Sequence, residues 1–254
     1  MELWTPTHVE TLLPALLVMF AIAVLLGWTL RNCSRKVRMI PFQILVCLLV
    51  VLEIGKQVLS LRDGYDLYHL PFHFCSMLIF LPIIMAFYRG KYEKTVVCIT
   101  TAVASAVFLL TAIYPDLIYS AQAVKEFTTN FFSFHTVAFH NVAMLLFLLI
   151  PALRLHEPEP KGEPKKVLLF ILGFCVVSAT MAYLLETNFN NFYTCNIAPL
   201  EAVRQSVEAA LGHTVASIFY VLIVTVMDLL FVTGAYWFYR LIHKLLGKQN
   251  KVAA

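Results

Sequence analysis

The chain is poor in charge. Only 13% of its 254 residues are Asp, Glu, Lys or Arg, about half the share of a soluble domain, which is about 25%. Sixty per cent are hydrophobic. So few charges cannot solvate the surface of a soluble fold this size, and no nucleic-acid partner is expected. Ordered cysteine chemistry is lacking too. Cys33, Cys47, Cys75, Cys98, Cys175 and Cys195 contain no CxxC and no spacing of a secreted disulfide framework. Most lie in apolar runs, where a Cys acts as a small hydrophobe. A basic stretch after Met1 is missing as well: Glu2 follows it, so a cleavable signal peptide is not expected. No convincing internal repeat is visible.

What is present is a series of long apolar runs. A hydrocarbon core about 30 Å thick needs about 20 apolar residues in a helix. Seven stretches qualify, at about 9–30, 38–60, 70–88, 95–114, 131–153, 167–185 and 212–239. The reading is a single all-α domain over residues 1–254, a seven-transmembrane-helix bundle. Basic residues set its orientation. Arg31, Arg35, Lys36 and Arg38 follow the first span; Arg89, Lys91 and Lys94 the third; Arg154, Lys161, Lys165 and Lys166 the fifth; Arg240, Lys244, Lys248 and Lys251 the seventh. These are 15 of the 19 Lys and Arg residues, all on one side of an alternating chain. The N-terminus is therefore expected outside and the C-terminus in the cytoplasm. The protein is expected to be integral and multi-pass, in the plasma membrane if bacterial, with membrane lipids as partners. Its oligomeric state is open.

Two connections have character. Residues 154–166 (RLHEPEPKGEPKK) are rich in Pro and charge, which predicts a solvated linker. Residues 199–211 (PLEAVRQSVEAAL) put Leu200, Val203, Val207 and Leu211 on one helical face. That predicts an amphipathic helix, either lying on the outer membrane surface or opening the last span.

Ionisable residues inside a bilayer are costly, so each is a functional candidate. Glu53 and Lys56 share a face of the second span at i, i+3 spacing. His73 and Cys75 open the third span, and His135 and His140 lie early in the fifth. Glu186, Asn188, Asn190 and Asn191 follow the sixth, and Asp228 lies near the middle of the seventh. All but Asp228 belong to the outer half of the membrane, where one polar pocket would gather them. Each also has a structural reading. Glu53–Lys56 fits an ion pair that fixes helix packing, Cys75 fits packing, and His73 fits a wet position among the headgroups. His135 and His140 lie about 140° apart on a helix, so they need not face one site.

Three chemistries fit the set. Cys75 can be a nucleophile activated by His73, His135 or His140, carrying an acyl group as a thioester. The same Cys and histidines can bind a metal, although their spacing matches no zinc signature; no metal or cofactor is expected. Glu53, Lys56 and the histidines can form a relay in a transporter or channel, with Glu53, Lys56 and Asn190 otherwise reading as substrate-binding residues. A receptor reading fails on Tyr88-Arg89-Gly90 after the third span. A retinal reading fails because the seventh span holds no deep Lys.

The segments LPFHFCS (70–76), SFHTVAFHN (133–141) and NFNNFY (188–193) resemble the YwaF-like integral membrane proteins of Gram-positive bacteria, relatives of the eukaryotic transmembrane protein 164 family. The resemblance covers most of the chain in span number and motif order. It implies phospholipid acyl transfer, with Cys75 as nucleophile and a His as base. The sequence departs from the eukaryotic motif, in which the Cys directly precedes the His. Phe72 stands at that position, and Cys75 follows His73 by two. His135 is the better-matched histidine.

Overall fold

The structure is a computed structural model that describes residues 4–159, 161–195 and 198–252. Among these, nine α-helices and no strand are found: α1 (Pro6–Thr29), α2 (Arg35–Arg62), α3 (Met77–Phe87), α4 (Glu93–Ile113), α5 (Ala121–Lys125), α6 (Phe131–Ala152), α7 (Glu163–Leu184), α8 (Ala198–Leu211) and α9 (His213–Val252). Six are long and apolar enough to cross a membrane: α1, α2, α4, α6, α7 and residues 213–245 of α9. Their outward faces carry large apolar side chains such as Leu17, Leu25, Val51 and Leu230, each about three-fifths exposed or more. Water would not tolerate so continuous an apolar coat; lipid requires it. The protein is therefore an integral, multi-pass membrane protein.

Helices α4 and α6 form the interior. About two-thirds of each apolar window is buried, against about one-sixth of that of α1. In lipid, helices associate by close packing rather than by escape from water, so small residues mark the contacts. Ala102, Ala104, Ser105 and Ala106 of α4 are all buried, and α3, α6, α7 and α9 all pack against that helix. The hydroxyls of Thr101, Ser105 and Thr111 bond carbonyls one turn back at 2.6–2.9 Å, so none of these three is stranded. Gly27 brings α1 onto α6. A Cβ there would lie 2.9 Å from the Ala152 carbonyl oxygen.

Two expectations are revised and one open alternative is decided. The third span, read as continuous over 70–88, is helical only from Phe74, counting a 3-10 turn at Phe74–Ser76. Its 14 residues rise about 21 Å, less than the hydrocarbon core. Leu70, held extended by Pro71 behind it, and His73 are both non-helical. The composition is apolar throughout, so hydropathy cannot register the break. Residues 154–159 and 161–166 are solvated only in part: Arg154, Glu157, Lys161 and Lys165 are exposed, whereas Leu155, His156 and Glu163 are buried. Glu163 accepts from Tyr236 Oη and from the Glu159 N–H, and the His156 carbonyl accepts from Tyr239 Oη. Finally, α8 is a helix of its own rather than the start of α9. Gly212 has φ +85°, a left-handed conformation that glycine adopts without penalty, and it separates the two. α8 folds back against α9.

The bundle has two polar ends. At one, Arg35 pairs with Glu93, Lys94 with Glu159, and Arg38 donates to the Leu153 carbonyl. At the other, Thr111 of α4 lines a cavity. Eighteen residues of α4 separate Glu93 from Thr111, a rise of about 27 Å.

Candidate functional site

The cavity has a volume of about 540 Å³ and is built where α2, the start of α3, the end of α4, the start of α6, the segment after α7 and mid-α9 converge. Glu53, Lys56, His73, Cys75, His135, His140 and Asn190 all line it. Depth alone could not have guaranteed this. The outcome rests on azimuth, and α2 packs against α6 with the right faces inward.

Charge sits on one wall. Lys56 Nζ donates to Glu53 Oε1 at 2.8 Å, and Gln57 Nε2 donates to the same oxygen at 2.7 Å. Glu53 Oε2 lies 3.4 Å from His135 Nε2, but out of line, so among the described residues neither atom has a hydrogen-bond partner. Gln57 also donates to the His69 carbonyl at 2.9 Å and accepts from Tyr65 Oη at 2.8 Å, which pins the loop 63–73 onto α2. His69 adds a bond from Nδ1 to Ser60 Oγ at 2.7 Å and stacks on Phe132. Burial, then the Lys56 charge, hold its imidazole below the usual 6.5. Burial pushes the Tyr68 phenol up, so it stays a neutral hydroxyl.

Hydrogen bonds fix one ring N–H on each of two histidines, and with it the tautomer that each adopts when neutral. A carbonyl can only accept, so His73 donates through Nε2 to the Tyr68 carbonyl at 3.0 Å and keeps its lone pair on Nδ1. His140 donates through Nδ1 to the Thr136 carbonyl at 2.7 Å and keeps its lone pair on Nε2. The His73 ring is clasped between Tyr68 and Phe189, with centroids at 4.2 and 5.3 Å. Among the described residues, Cys75 makes no hydrogen bond to a histidine. The thiol and the imidazoles line the same cavity.

Asn190 has a more constrained place than a substrate contact implies. Its Oδ1 accepts from the Phe74 N–H at 2.5 Å, and its Nδ2 lies 3.4 Å from Ser178 Oγ. Asp228 also lines the cavity, where Cys175 Sγ approaches its Oδ2 at 3.7 Å. Sequence reasoning missed Gln57, His69 and Ser178. Gln57 stands at i+4 from Glu53, a legible signal. His69 directly precedes the LPFHFCS run. Ser178 gave none, being one small polar residue in an apolar helix.

No curated protein and no solved structure matches the chain. The model of the TMEM164 family matches residues 3–246. That match runs through every helix bordering the cavity, and the chain therefore belongs to the TMEM164 family.

Proposed function

We propose that this membrane protein is a lipid-modifying enzyme that transfers an acyl group between phospholipids through a Cys75 thioester. One observation carries the reading: a single cavity holds the Cys75 thiol, the His73 and His140 rings, each oriented by one ring N–H on a carbonyl, His135, and an ion-paired Lys56. We further infer that the irregular segment before α3 completes a seventh crossing. Non-helical backbone is tolerated at membrane depth only where it is buried or lines a cavity, and Leu70 and residues 73–76 do line one. With seven crossings, the basic end faces the cytoplasm and the cavity opens on the outer half of the bilayer.

In the first half-reaction a histidine takes the Cys75 proton, and the thiolate attacks the ester carbonyl. The sulfur–carbon bond forms and the carbonyl π pair moves to oxygen. The Lys56 charge offsets that oxyanion as far as Glu53 leaves it unneutralised. Collapse breaks the carbon–oxygen bond, and the imidazolium returns its proton to the departing lysophospholipid alkoxide. In the second half the same imidazole deprotonates the acceptor hydroxyl, which attacks the thioester and releases the thiol. Such contacts commonly tighten only when substrate is bound. His73 and His135 are the candidate bases, with His140 beside them.

The test is intact-mass spectrometry of the protein in phospholipid nanodiscs, before and after hydroxylamine. A fatty-acyl increment removed by hydroxylamine, and missing from Cys75→Ser, is expected. A wild-type protein without the increment, together with a Cys75→Ser variant of unchanged function, would refute acyl transfer. It would favour the second reading, a transport relay through Glu53, Lys56 and the histidines. That reading draws on Asp228 in the same cavity.

A further inference from the structure

The segment that carries His73 and Cys75 is held by two side chains from elsewhere in the chain. Within it, the backbone bonds are few: Phe72 N–H to the Leu70 carbonyl at 2.8 Å, and Ser76 N–H to the His73 carbonyl at 3.0 Å. The Phe72 carbonyl accepts instead from Ser178 Oγ of α7 at 2.8 Å. The Phe74 N–H donates instead to Asn190 Oδ1. Asn190 Nδ2 and Ser178 Oγ, 3.4 Å apart, join the two supports. Ser178 is fully buried. Asn190 has φ +50° and ψ +28°, a left-handed conformation that Asn tolerates better than most residues.

Without the Ser178 hydroxyl, the Phe72 carbonyl is left to accept from the Cys75 N–H three residues on, the bond a helical turn would make there. Closing that bond would extend the helical turn backwards and rotate the Cys75 side chain. We propose that Ser178 and Asn190 are positioning residues, which hold residues 72–74 out of the helix so that the His73 ring and the Cys75 thiol both face the cavity. The consequence for catalysis rests on the acyl-transfer reading; the positioning itself does not.

The experiment measures the alkylation of Cys75 by N-ethylmaleimide in the full protein in nanodiscs, by peptide mass spectrometry, in the alkaline limit where the thiol is ionised. Cys47, exposed, and Cys98, buried, report on reagent and fold. Ser178→Ala and Asn190→Ala should each slow Cys75 labelling by about fivefold or more, the factor one net hydrogen bond supplies. Cys47 labelling should stay unchanged and Cys98 protected. Asn190→Asp, which keeps the acceptor for the Phe74 N–H, should restore the rate. Either alanine variant that folds carries the test. Wild-type labelling in a folded alanine variant overturns the proposal. So does an Asn190→Asp as slow as Asn190→Ala, or the unfolding of both alanine variants, which would make the pair purely structural. Slowed labelling without any acyl adduct in the wild type would instead refute acyl transfer and leave the positioning intact.

Discussion

Replacing Lys56 by methionine keeps the length of the side chain and removes the charge on which Glu53 leans. Lys56 and Glu53 are each about one-eighth exposed or less at the side chain, and their charged atoms lie 2.8 Å apart. Breaking a buried ion pair by deleting one partner costs about 3–5 kcal/mol, because the other charge is left uncompensated. Here Glu53 keeps the Gln57 amide at 2.7 Å and borders a cavity, so a smaller cost than that range, about 2–3 kcal/mol, is expected. For a chain of this size that is a fall in Tm of about 4–12 °C, at about 2–4 °C per kcal/mol. Glu53→Gln should cost a similar amount by leaving Lys56 alone. The double variant should cost much less than the sum, with a coupling energy of at least about 1.5 kcal/mol. Thermal unfolding in nanodiscs, followed by tryptophan fluorescence, measures all four corners of the cycle. Additivity to within about 0.5 kcal/mol would show that the two side chains do not act as a unit, and the electrostatic account of the cavity wall would fail.

Four further outcomes are expected. Impermeant thiol reagents on intact cells should label Cys195 and spare Cys33; the reverse would invert the topology. His135→Ala should lower acyl transfer by about 10²–10⁴-fold, the range for a general base, whereas Cys98→Ser should leave it unchanged, since Cys98 packs beside the Glu163 carbonyl at the far end of α4. Gly27→Ala should lower stability by about 1–3 kcal/mol in the same unfolding assay, because its Cβ must push α1 away from the backbone of α6. His69 has a depressed pKa in the fold, so the unfolded chain binds its proton first on acidification. Its contribution to stability is present above the usual imidazole value of 6.5 and fades as pH falls through the folded value. The Tm should therefore drop between pH 7.5 and about 5.5, and His69→Gln should reduce that drop.

How much of this was legible in the sequence depends on the coordinate in question. Depth along the membrane normal is nearly one-dimensional, and hydropathy together with basic flanks reads it well. That is why Glu53, His73 and His135 could be assigned to one level before their contacts were known. Rotation about each helix axis is a different matter. His135 and His140 lie far apart on an ideal wheel, yet both reach the cavity, because α6 is enclosed on several sides and both faces are inward. The pattern of apolar residues cannot resolve this, since lipid-facing and buried positions in a span are equally apolar. Backbone irregularity is the least legible of all. The hydropathy of residues 70–88 argued for an uninterrupted helix. The competing conformation wins because Ser178 and Asn190, 106 and 116 residues further on, supply the hydrogen bonds that a helix would otherwise provide. In a bilayer, where water cannot satisfy a freed amide or carbonyl, a break of this kind survives only if distant side chains are committed to it. The place where local sequence reasoning fails is then also the place where the fold has fixed a backbone for a purpose, and here that place carries Cys75.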